Sequence, residues 1–498
     1  MIEILLNDPA FEQDIRELLM AFYPGETFAH QPTPESFLTV EGMVSPDHRQ
    51  YTLKLLNHRE IPVHELHDLP EALEEEVDRI GEPIGVNWED RTDTKNKVKR
   101  RMYALLLLQT GRQLPWGSLT GIRPTKLVLT RLQEGMEPAK IRDFLRKNYY
   151  TGETKIDLAI DTAVYETELL KTLDYAHGYS LYVGIPFCPT TCLYCSFTSY
   201  PIGKWKNRTG EYLQALFHEM DQLAVTMKGK TPDTVYIGGG TPTALSAEDL
   251  EALCSHMEET FDLKTVREWT VEAGRPDSIT EEKLRVLKKH GISRISINPQ
   301  TMKQETLDLI GRHHTVEMVK EKFALARSLG FDNINMDLIV GLPGEDMEDV
   351  RRTMEEIRAL DPESVTVHSL AIKRASRLNL MKETYASYKI TNTQEMIDLT
   401  ADCCREMGMK PYYLYRQKNM AGNFENVGYA KPQKACIYNV LIMEEQQTIA
   451  ACGAGTTTKV LFPGENRRER WENVKDVDLY MARIDEMIEK KNLLLRQL

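Results

Sequence analysis

Cys188, Cys192 and Cys195 stand in the order Cys-x3-Cys-x2-Cys, directly after the apolar run Leu181 to Ile185. Cysteine thiolates are the usual ligands of iron–sulfur clusters, and three of them so close together can hold one cluster. The next cysteine is Cys254. A four-iron cluster on this trio keeps one iron without a protein ligand, as a catalytic zinc keeps an open position. Such a site is built for chemistry rather than for electron storage alone. Two plainer readings compete. Cysteines at these spacings can line a buried helix face as small hydrophobes, although Pro186 and Pro189 oppose a helix here. A structural zinc usually pairs two Cys-x2-Cys units, and only one is present.

The elements that must position this loop alternate between strand and helix. Strands are expected at Leu181 to Ile185, Thr234 to Gly238, Glu268 to Ala273, Arg294 to Asn298, Asn333 to Val340 and Ser364 to Leu370. Helical periodicity fills the gaps at Tyr212 to Thr226, Ala247 to Thr260, Glu281 to His290, Val316 to Leu329 and Met347 to Leu360. This alternation predicts right-handed crossovers and a parallel sheet. Ligands of such sheets sit at the carboxyl ends of the strands. The unusual residues gather there: the cysteine loop, then Gly238-Gly239-Gly240-Thr241-Pro242, then Glu272, Gln300, Asp337 and Ala371. The glycine stretch is no dinucleotide fingerprint, because Thr243 falls where a third glycine is needed, and no Gly-Lys-Ser/Thr follows to make a P-loop. Glycines there allow backbone amides to approach a ligand, with a bare tight turn as the alternative.

With 498 residues, the chain has room for two or three domains and a large core. Charged residues at 28% and hydrophobic ones at 41% are ordinary for a soluble globular protein. A net charge of −13 disfavours non-specific nucleic-acid binding. No leader pattern opens the chain, and the aliphatic run Ala104 to Leu108 is too short for a membrane span. Eight cysteines with three clustered suit a reducing cytoplasm.

Residues 1–150 are expected to form an N-terminal α+β domain, 151–372 the parallel barrel-like domain, and 373–498 a C-terminal α+β cap. In the first, Met1 to Leu6 reads as a strand, Phe11 to Phe22 as a helix, and Phe37 to Val40 with Tyr51 to Leu56 as a hairpin. An acidic helix is expected at Leu69 to Ile80. Lys95, Lys97, Lys99, Arg100 and Arg101 read as a solvated helix face. The Leu114 to Lys126 loop brings Arg123 and Lys126 within possible reach of an anionic group. In the last, Asp398 to Met407 and Asp478 to Lys490 read as helices; Pro411 to Tyr415, Ile437 to Met443 and Thr448 to Ala451 read as strands, with Cys452-Gly-Ala-Gly-Thr456 between strands. Cys403, Cys404, Cys436 and Cys452 lack ligand spacing and read as structural.

The cysteine motif, with Tyr194 before its third cysteine, resembles the radical S-adenosylmethionine (SAM) superfamily. Tyr182-x-x-Ile-Pro-Phe-Cys188, Gly238 to Thr243, Asn298-Pro-Gln300, Gly311-Arg312-His313 and Met336 to Pro343 together resemble the oxygen-independent coproporphyrinogen III oxidases, nearest their HemZ-type branch. The likeness covers about residues 175–460. It implies a curved, partly open (βα)6 parallel barrel, one [4Fe–4S] cluster on Cys188, Cys192 and Cys195, and one SAM or two. By the same likeness Tyr182, Tyr194, Gly239, Gly240, Thr241 and Glu272 line the site of cluster-bound SAM. Gln300, Arg312, Asp337 and Ala371 match positions that bind a SAM molecule in the family. Glu272 and Asp337 can accept bonds from ribose hydroxyls or an ammonium, and Arg312 can clamp a carboxylate through two parallel bonds.

The chain departs from the family in three places. Gly184 stands where the family has a histidine, Asn298-Pro299 precedes Gln300, and Asn419-Met-Ala-Gly-Asn-Phe424 replaces a Gly-Met-Asp-His-Phe-Ala element.

The resemblance implies an enzyme. An electron cleaves SAM to methionine and a 5′-deoxyadenosyl radical, which takes hydrogen from a propionate of coproporphyrinogen III. Loss of carbon dioxide and one electron leaves a vinyl group, and repetition gives protoporphyrinogen IX. The cofactor carries the difficult step and the protein supplies orientation. Arg374, Arg377, Arg416 and Lys418 are candidates for the substrate carboxylates, and a small carrier such as flavodoxin or ferredoxin for the electron. Two alternatives stand beside it: a haem-binding chaperone, for which His313 and His314 are candidate ligands, and a radical tetrapyrrole methylase or ring-opening enzyme.

Overall fold

The computed structural model describes residues 1–59, 64, 69–121, 123–175, 177–381, 383–385, 387–417, 420–462, 465 and 467–498. Two compact units emerge: Met1–Ala163 with Tyr415–Glu425, and Val164–Leu414 with Asn426–Leu498.

In the first unit, β1 (Ile2–Leu6), β2 (Leu38–Val44) and β3 (Gln50–Asn57) form a sheet with two short flanking strands. The helices α1 (Glu12–Phe22), α2 (Glu71–Asp78) and α3 (Arg91–Thr110) complete its core, where Ile15, Leu18, Val98, Met102 and Leu106 are buried with Ile2, Ile4 and Val40. The basic run on α3 is the expected solvated face only in part: Lys95 is exposed and Lys97 half-exposed, while Lys99 and Arg101 turn inward. Arg101 is buried, donating to Glu76 Oε1 at 2.7 Å and to the Glu82 carbonyl at 2.6 Å. Lys99 is buried too and donates to Thr120 Oγ1 at 2.6 Å; desolvation pulls its pKa down to about 8. Neither Arg123 nor Lys126 is free of partners.

The returning segment Tyr415–Glu425 is locked into this unit by buried charge. Glu425 accepts bonds from Trp116 Nε1 at 2.7 Å and Lys155 Nζ at 2.6 Å. Arg416 donates to the Leu119 carbonyl at 2.6 Å and to Asn423, and lies over the Trp116 ring. It is buried and occupied in structure, which removes it from the candidates for a substrate carboxylate. Lys418 and Asn419 lie outside the described residues.

The second unit is built on parallel strands in chain order: β4 (Tyr179–Ile185), β5 (Pro232–Gly239), β6 (Glu268–Gly274), β7 (Arg294–Ile297), β8 (Ile334–Val340) and β9 (Ser364–Ser369). Each neighbouring pair is parallel. Helices Thr209–Thr226, Ala247–Thr260, Glu281–Lys289, Val316–Ser328 and Met347–Leu360 make the crossovers. This is the partial (βα)6 barrel. Its strands are buried along nearly their whole length, as a sheet covered on both faces requires.

The C-terminal third extends this sheet at both sides. β10 (Lys410–Tyr415) and β11 (Asn426–Ala430) continue it beyond β9, β11 running antiparallel. β12 (Ile449–Cys452) pairs in parallel with β4, followed by β13 (Thr457–Phe462) and β14 (Arg467–Glu472). The expected terminal helix is two helices, Val477–Ala482 and Ile484–Leu495.

The expected strand at Ile437 to Met443 is a helix, Ile437–Met443. A short apolar run does not by itself distinguish a buried helix turn from a strand. The decision comes from Glu268 on β6, whose carboxylate accepts the Ile437 amide at 2.9 Å and the Tyr438 amide at 3.3 Å and so caps the helix start. Among the described residues no helix is long and apolar enough to cross a membrane.

Candidate active site

The strand register places the chemistry at one end of the barrel. Gly184 pairs with Gly238 and Ile185 with Gly239, so the cysteine loop and the glycine loop leave adjacent strands together. Val271 pairs with Ile237, which sets Glu272 beside Gly238. A Cβ at Gly238 would lie 3.0 Å from the Glu272 carboxyl carbon; a side chain there would displace the carboxylate.

Two amides of the glycine loop are engaged within the protein. The amides of Gly240 and Thr241 donate to the carbonyls of Ile185 at 2.8 Å and Phe187 at 2.7 Å. They hold the cysteine loop instead of facing a ligand. A Cβ on Gly240 would meet the Phe187 carbonyl at 2.6 Å and Cys188 Sγ at 3.0 Å, so close approach of the two loops demands glycine. Thr241 Oγ1 donates to Cys188 Sγ at 3.4 Å. Further along, the Leu193 amide donates to the Ile310 carbonyl and the Leu378 amide to the Leu193 carbonyl, both at 2.9 Å.

Burial pushes the Cys188 thiol up to about 11 despite the Thr241 bond, and raises Cys195. Three thiolates crowded into this loop need positive charge to ionise, which a metal centre supplies. Among the described residues no three histidine, cysteine or carboxylate side chains converge as a single metal ion requires. A four-iron cluster asks for something else, one sulfur at each of three separate corners, and the loop offers three.

Inside the rim Tyr182, Tyr236 and Tyr438 form a cluster of near-parallel rings, the Tyr182 centroid 6.0 Å from each of the other two with planes 13° and 23° apart. Tyr236 and Tyr438 lie 4.5 Å apart. Tyr236 donates its hydroxyl to Glu272 Oε1 at 2.6 Å. Desolvation nevertheless lifts the Glu272 carboxyl to about 7. Asp337 behaves differently: burial would raise it, but bonds with His368, Asn335 and Thr366 outweigh that and keep it ionised. Asn335 Nδ2 donates to Asp337 Oδ1 at 2.7 Å. Gln300 is buried with φ of 71°, its amide bonded to the Asp337 carbonyl at 3.0 Å. A glutamine in the left-handed region is costly, and such strain gathers at functional sites. Ala371 closes the series just beyond β9.

Arg312 does not present the expected free fork. It is buried, with Nη1 donating to Tyr194 Oη at 3.0 Å and Nη2 to the Asn298 carbonyl at 2.5 Å. Only Nε lacks a partner. Burial raises the Tyr194 phenol, so Tyr194 stays a neutral partner of Arg312. His314 is buried with neither ring nitrogen bonded, and desolvation drops it to about 3, so its ring is neutral; its burial, not its charge, separates it from a ligand at the surface, where His313 is exposed. Arg374 and Arg377 are exposed, and Arg377 Nη1 reaches the Thr191 carbonyl at 3.4 Å.

The missing family histidine at Gly184 has a steric cause. A Cβ there would lie 2.4 Å from Thr456 Cγ2, because the Cys452-to-Thr456 loop packs against β4. Glu219 anchors that loop. Wholly buried, it accepts from the Gly453 amide at 2.7 Å, Asn473 Nδ2 at 2.7 Å, Tyr480 Oη at 2.6 Å and Lys491 Nζ at 2.6 Å. Sequence reading missed Tyr438, Glu219 and Lys491 because each acts across a long separation; the Gly-Ala-Gly before Thr456 was the one local signal.

Comparison with known proteins agrees with this geometry. Residues 182–357 match the model of the radical SAM superfamily. The chain belongs to that superfamily. It is 42% identical over 86% of its length to the oxygen-independent coproporphyrinogen-III oxidase-like protein HemZ of Bacillus subtilis, spanning 86% of that protein, and belongs to the same family. Haem chaperone HemW of Bacillus subtilis is 38% identical over 41% of this chain, which spans 54% of that protein. The solved coproporphyrinogen III oxidase HemN of Escherichia coli shares the fold, with a TM-score of 0.50 and 21% identity, covering 65% of this chain and 73% of that one. The family implies a [4Fe–4S] cluster and SAM.

Proposed function

We propose that this protein carries out the oxidative decarboxylation of coproporphyrinogen III propionates to vinyl groups, giving protoporphyrinogen IX. The observation that carries the reading is the oxidase-like relative, similar over 86% of the chain, taken with the radical SAM match over residues 182–357. When bound, the cluster and SAM supply a radical able to remove hydrogen from an unactivated carbon. Each turn then takes one hydrogen atom, one electron and carbon dioxide from a propionate; the electron leaves to an external one-electron acceptor.

The chain's own residues do the rest. Cys188, Cys192 and Cys195 hold the cluster, with electrons supplied by a small reduced carrier. Glu272 and Asp337 accept bonds from the ammonium or ribose of SAM, and Tyr182 packs beside it. The substrate is a flat apolar ring with four carboxylates. Phe197 and Leu380 are exposed apolar side chains on segments tied to the cysteine loop, and Arg374 and Arg377 lie on the same second segment. Together they offer apolar surface and positive charge in an acidic protein.

A second reading, haem binding without oxidation, is favoured by one observation: the 38% identity to a haem chaperone. The decisive experiment incubates reconstituted protein anaerobically with reductant, SAM and coproporphyrinogen III. Vinyl product with matching 5′-deoxyadenosine supports the oxidase. Stoichiometric haem binding with no carbon dioxide released supports the chaperone and sinks the oxidase, and a methylated or linear tetrapyrrole sinks both.

A further inference from the structure

The residues after Glu272 form Gly274-Arg275-Pro276-Asp277, and no part of the rim described so far uses them. The register of β6 against β7 shifts between Val271 and Gly274, and Gly274 takes φ of 65°. A bulge of this kind re-aims the side chain that follows it. Here that side chain is Arg275, whose guanidinium is buried under the cysteine loop. Nη1 donates to Thr190 Oγ1 at 2.6 Å, to the Thr190 carbonyl at 3.2 Å and to Cys192 Sγ at 3.8 Å. On its other edge Nε and Nη2 fork onto Asp277 at 2.9 and 2.6 Å. Thr190 in turn donates to the Gly311 carbonyl at 3.0 Å.

The charge arrangement is specific. Cys188 Sγ receives a neutral hydroxyl from Thr241, while Cys192 Sγ receives the one charged donor that these bonds supply. Hydrogen bonds to cluster sulfurs and nearby charge are the levers that set a cluster's reduction potential. Reduction adds negative charge, so a cationic donor favours the reduced state. Asp277 opposes that effect by pairing the guanidinium.

We infer that Arg275 and Asp277 form a charge pair that positions the cysteine loop and sets the reduction potential of the cluster it holds. The inference rests on the reading of Cys188, Cys192 and Cys195 as cluster ligands. Arg275 is a positioning residue acting through Cys192; it touches no substrate. Its two members act with opposite sign. Removing the cation leaves Asp277 unpaired and makes the cluster harder to reduce. Neutralising Asp277 leaves the guanidinium uncompensated and makes it easier.

The test is a redox titration of anaerobically reconstituted, SAM-free protein followed by electron paramagnetic resonance. Relative to wild type, Arg275→Met lowers the reduced-to-oxidised ratio at fixed poise about tenfold, and Asp277→Asn raises it. For a one-electron couple a tenfold change corresponds to about 59 mV. A merely structural contact would disturb both variants in the same direction, through loosened iron binding. Shifts of the same sign, or midpoints unchanged in both, overturn the inference. Should Arg275→Met fail to retain iron, Asp277→Asn and Arg275→Lys decide it: an upward shift for the first with a near-wild-type midpoint for the second supports it, and any other pair of results refutes it. Wild-type protein that binds no cluster overturns the ligand reading instead, so the two failures are distinguishable.

Discussion

Gly184→Ala is the sharpest probe of how this chain departs from its family. The new Cβ would sit 2.4 Å from Thr456 Cγ2, 3.5 Å from the Cys452 carbonyl and 3.6 Å from Tyr182 Cε1. Only the first contact is intolerable, so the whole cost falls on one methyl group. Thr456 cannot easily withdraw. Its hydroxyl donates to the Gly453 carbonyl at 2.8 Å, and its own carbonyl accepts the Asn473 amide at 2.9 Å. Both Gly453 and Asn473 are bonded to the buried Glu219. Overpacking of such a site costs about 1–3 kcal/mol. For a unit of this size each kcal/mol lowers the melting temperature by about 2 °C, so a fall of about 2–6 °C is expected.

Thr456→Ser removes the offending methyl and keeps the hydroxyl. Alone it should cost about 0.5–1.5 kcal/mol, as for deleting one buried methyl. In that background Gly184→Ala should be nearly free, giving a favourable coupling of about 1 kcal/mol or more in the double-mutant cycle. The assay is calorimetry with near-ultraviolet circular dichroism on all four apo proteins under one buffer. Additive losses would refute the reasoning, because they would mean that the clash at Gly184 is with something other than Thr456.

Three further outcomes follow from the site. Glu272, lifted to about 7, must give up its proton to pair with the ammonium of SAM, so SAM affinity measured by calorimetry falls below pH 7, approaching tenfold per pH unit; Glu272→Gln flattens that profile and weakens binding about 10–100-fold at pH 8. Gly240→Ala, whose Cβ would press on the Phe187 carbonyl and Cys188 Sγ, lowers iron content after reconstitution, whereas the buried but unclustered Cys254→Ser leaves it at the wild-type level. Glu219→Ala strands Lys491 in the interior and destabilises by about 3–5 kcal/mol by urea titration, and the double variant Glu219→Gln with Lys491→Met recovers part of that loss.

What sequence could reveal was set by how locally each feature is encoded. The cysteine spacing, the glycine run and the strand residues Glu272 and Asp337 are decided within a few residues, and the parallel order follows from alternation, so the barrel and the joint exit of the cysteine and glycine loops were legible. Ile437–Met443 was not, because a seven-residue run that is apolar but for Asn439 fits either period, and its helical choice is made by Glu268, 169 residues away from Ile437. The inward members of the basic run on α3 were not legible for the same reason: Arg101 is buried because Glu76 and the Glu82 carbonyl meet it there, and neither partner shows in a charge pattern. Arg312 looked like a carboxylate clamp until Tyr194, 118 residues earlier, was seen to occupy it.

These cases share one cause, and it bears on how the site works. A motif's spacing fixes which atoms can approach a ligand; it does not fix which of them are already engaged. Gly240 and Thr241 carry amides where the family motif suggests, yet both are bonded to the cysteine loop. Arg312 has its fork in the right place, yet Tyr194 and Asn298 hold it. The Glu272 carboxylate, lifted to about 7 by burial, and the ionised Asp337 are bonded too, to Tyr236 and Asn335, but a carboxylate has acceptor capacity beyond one bond. On the proposed function a cationic cofactor would be met by these carboxylates, while the Gly240 and Thr241 amides and the Arg312 guanidinium are spent on rigidity. The rim is therefore preorganised around the cysteine loop first and around its ligand second, the order a site needs when an open iron must be fixed before anything can bind to it.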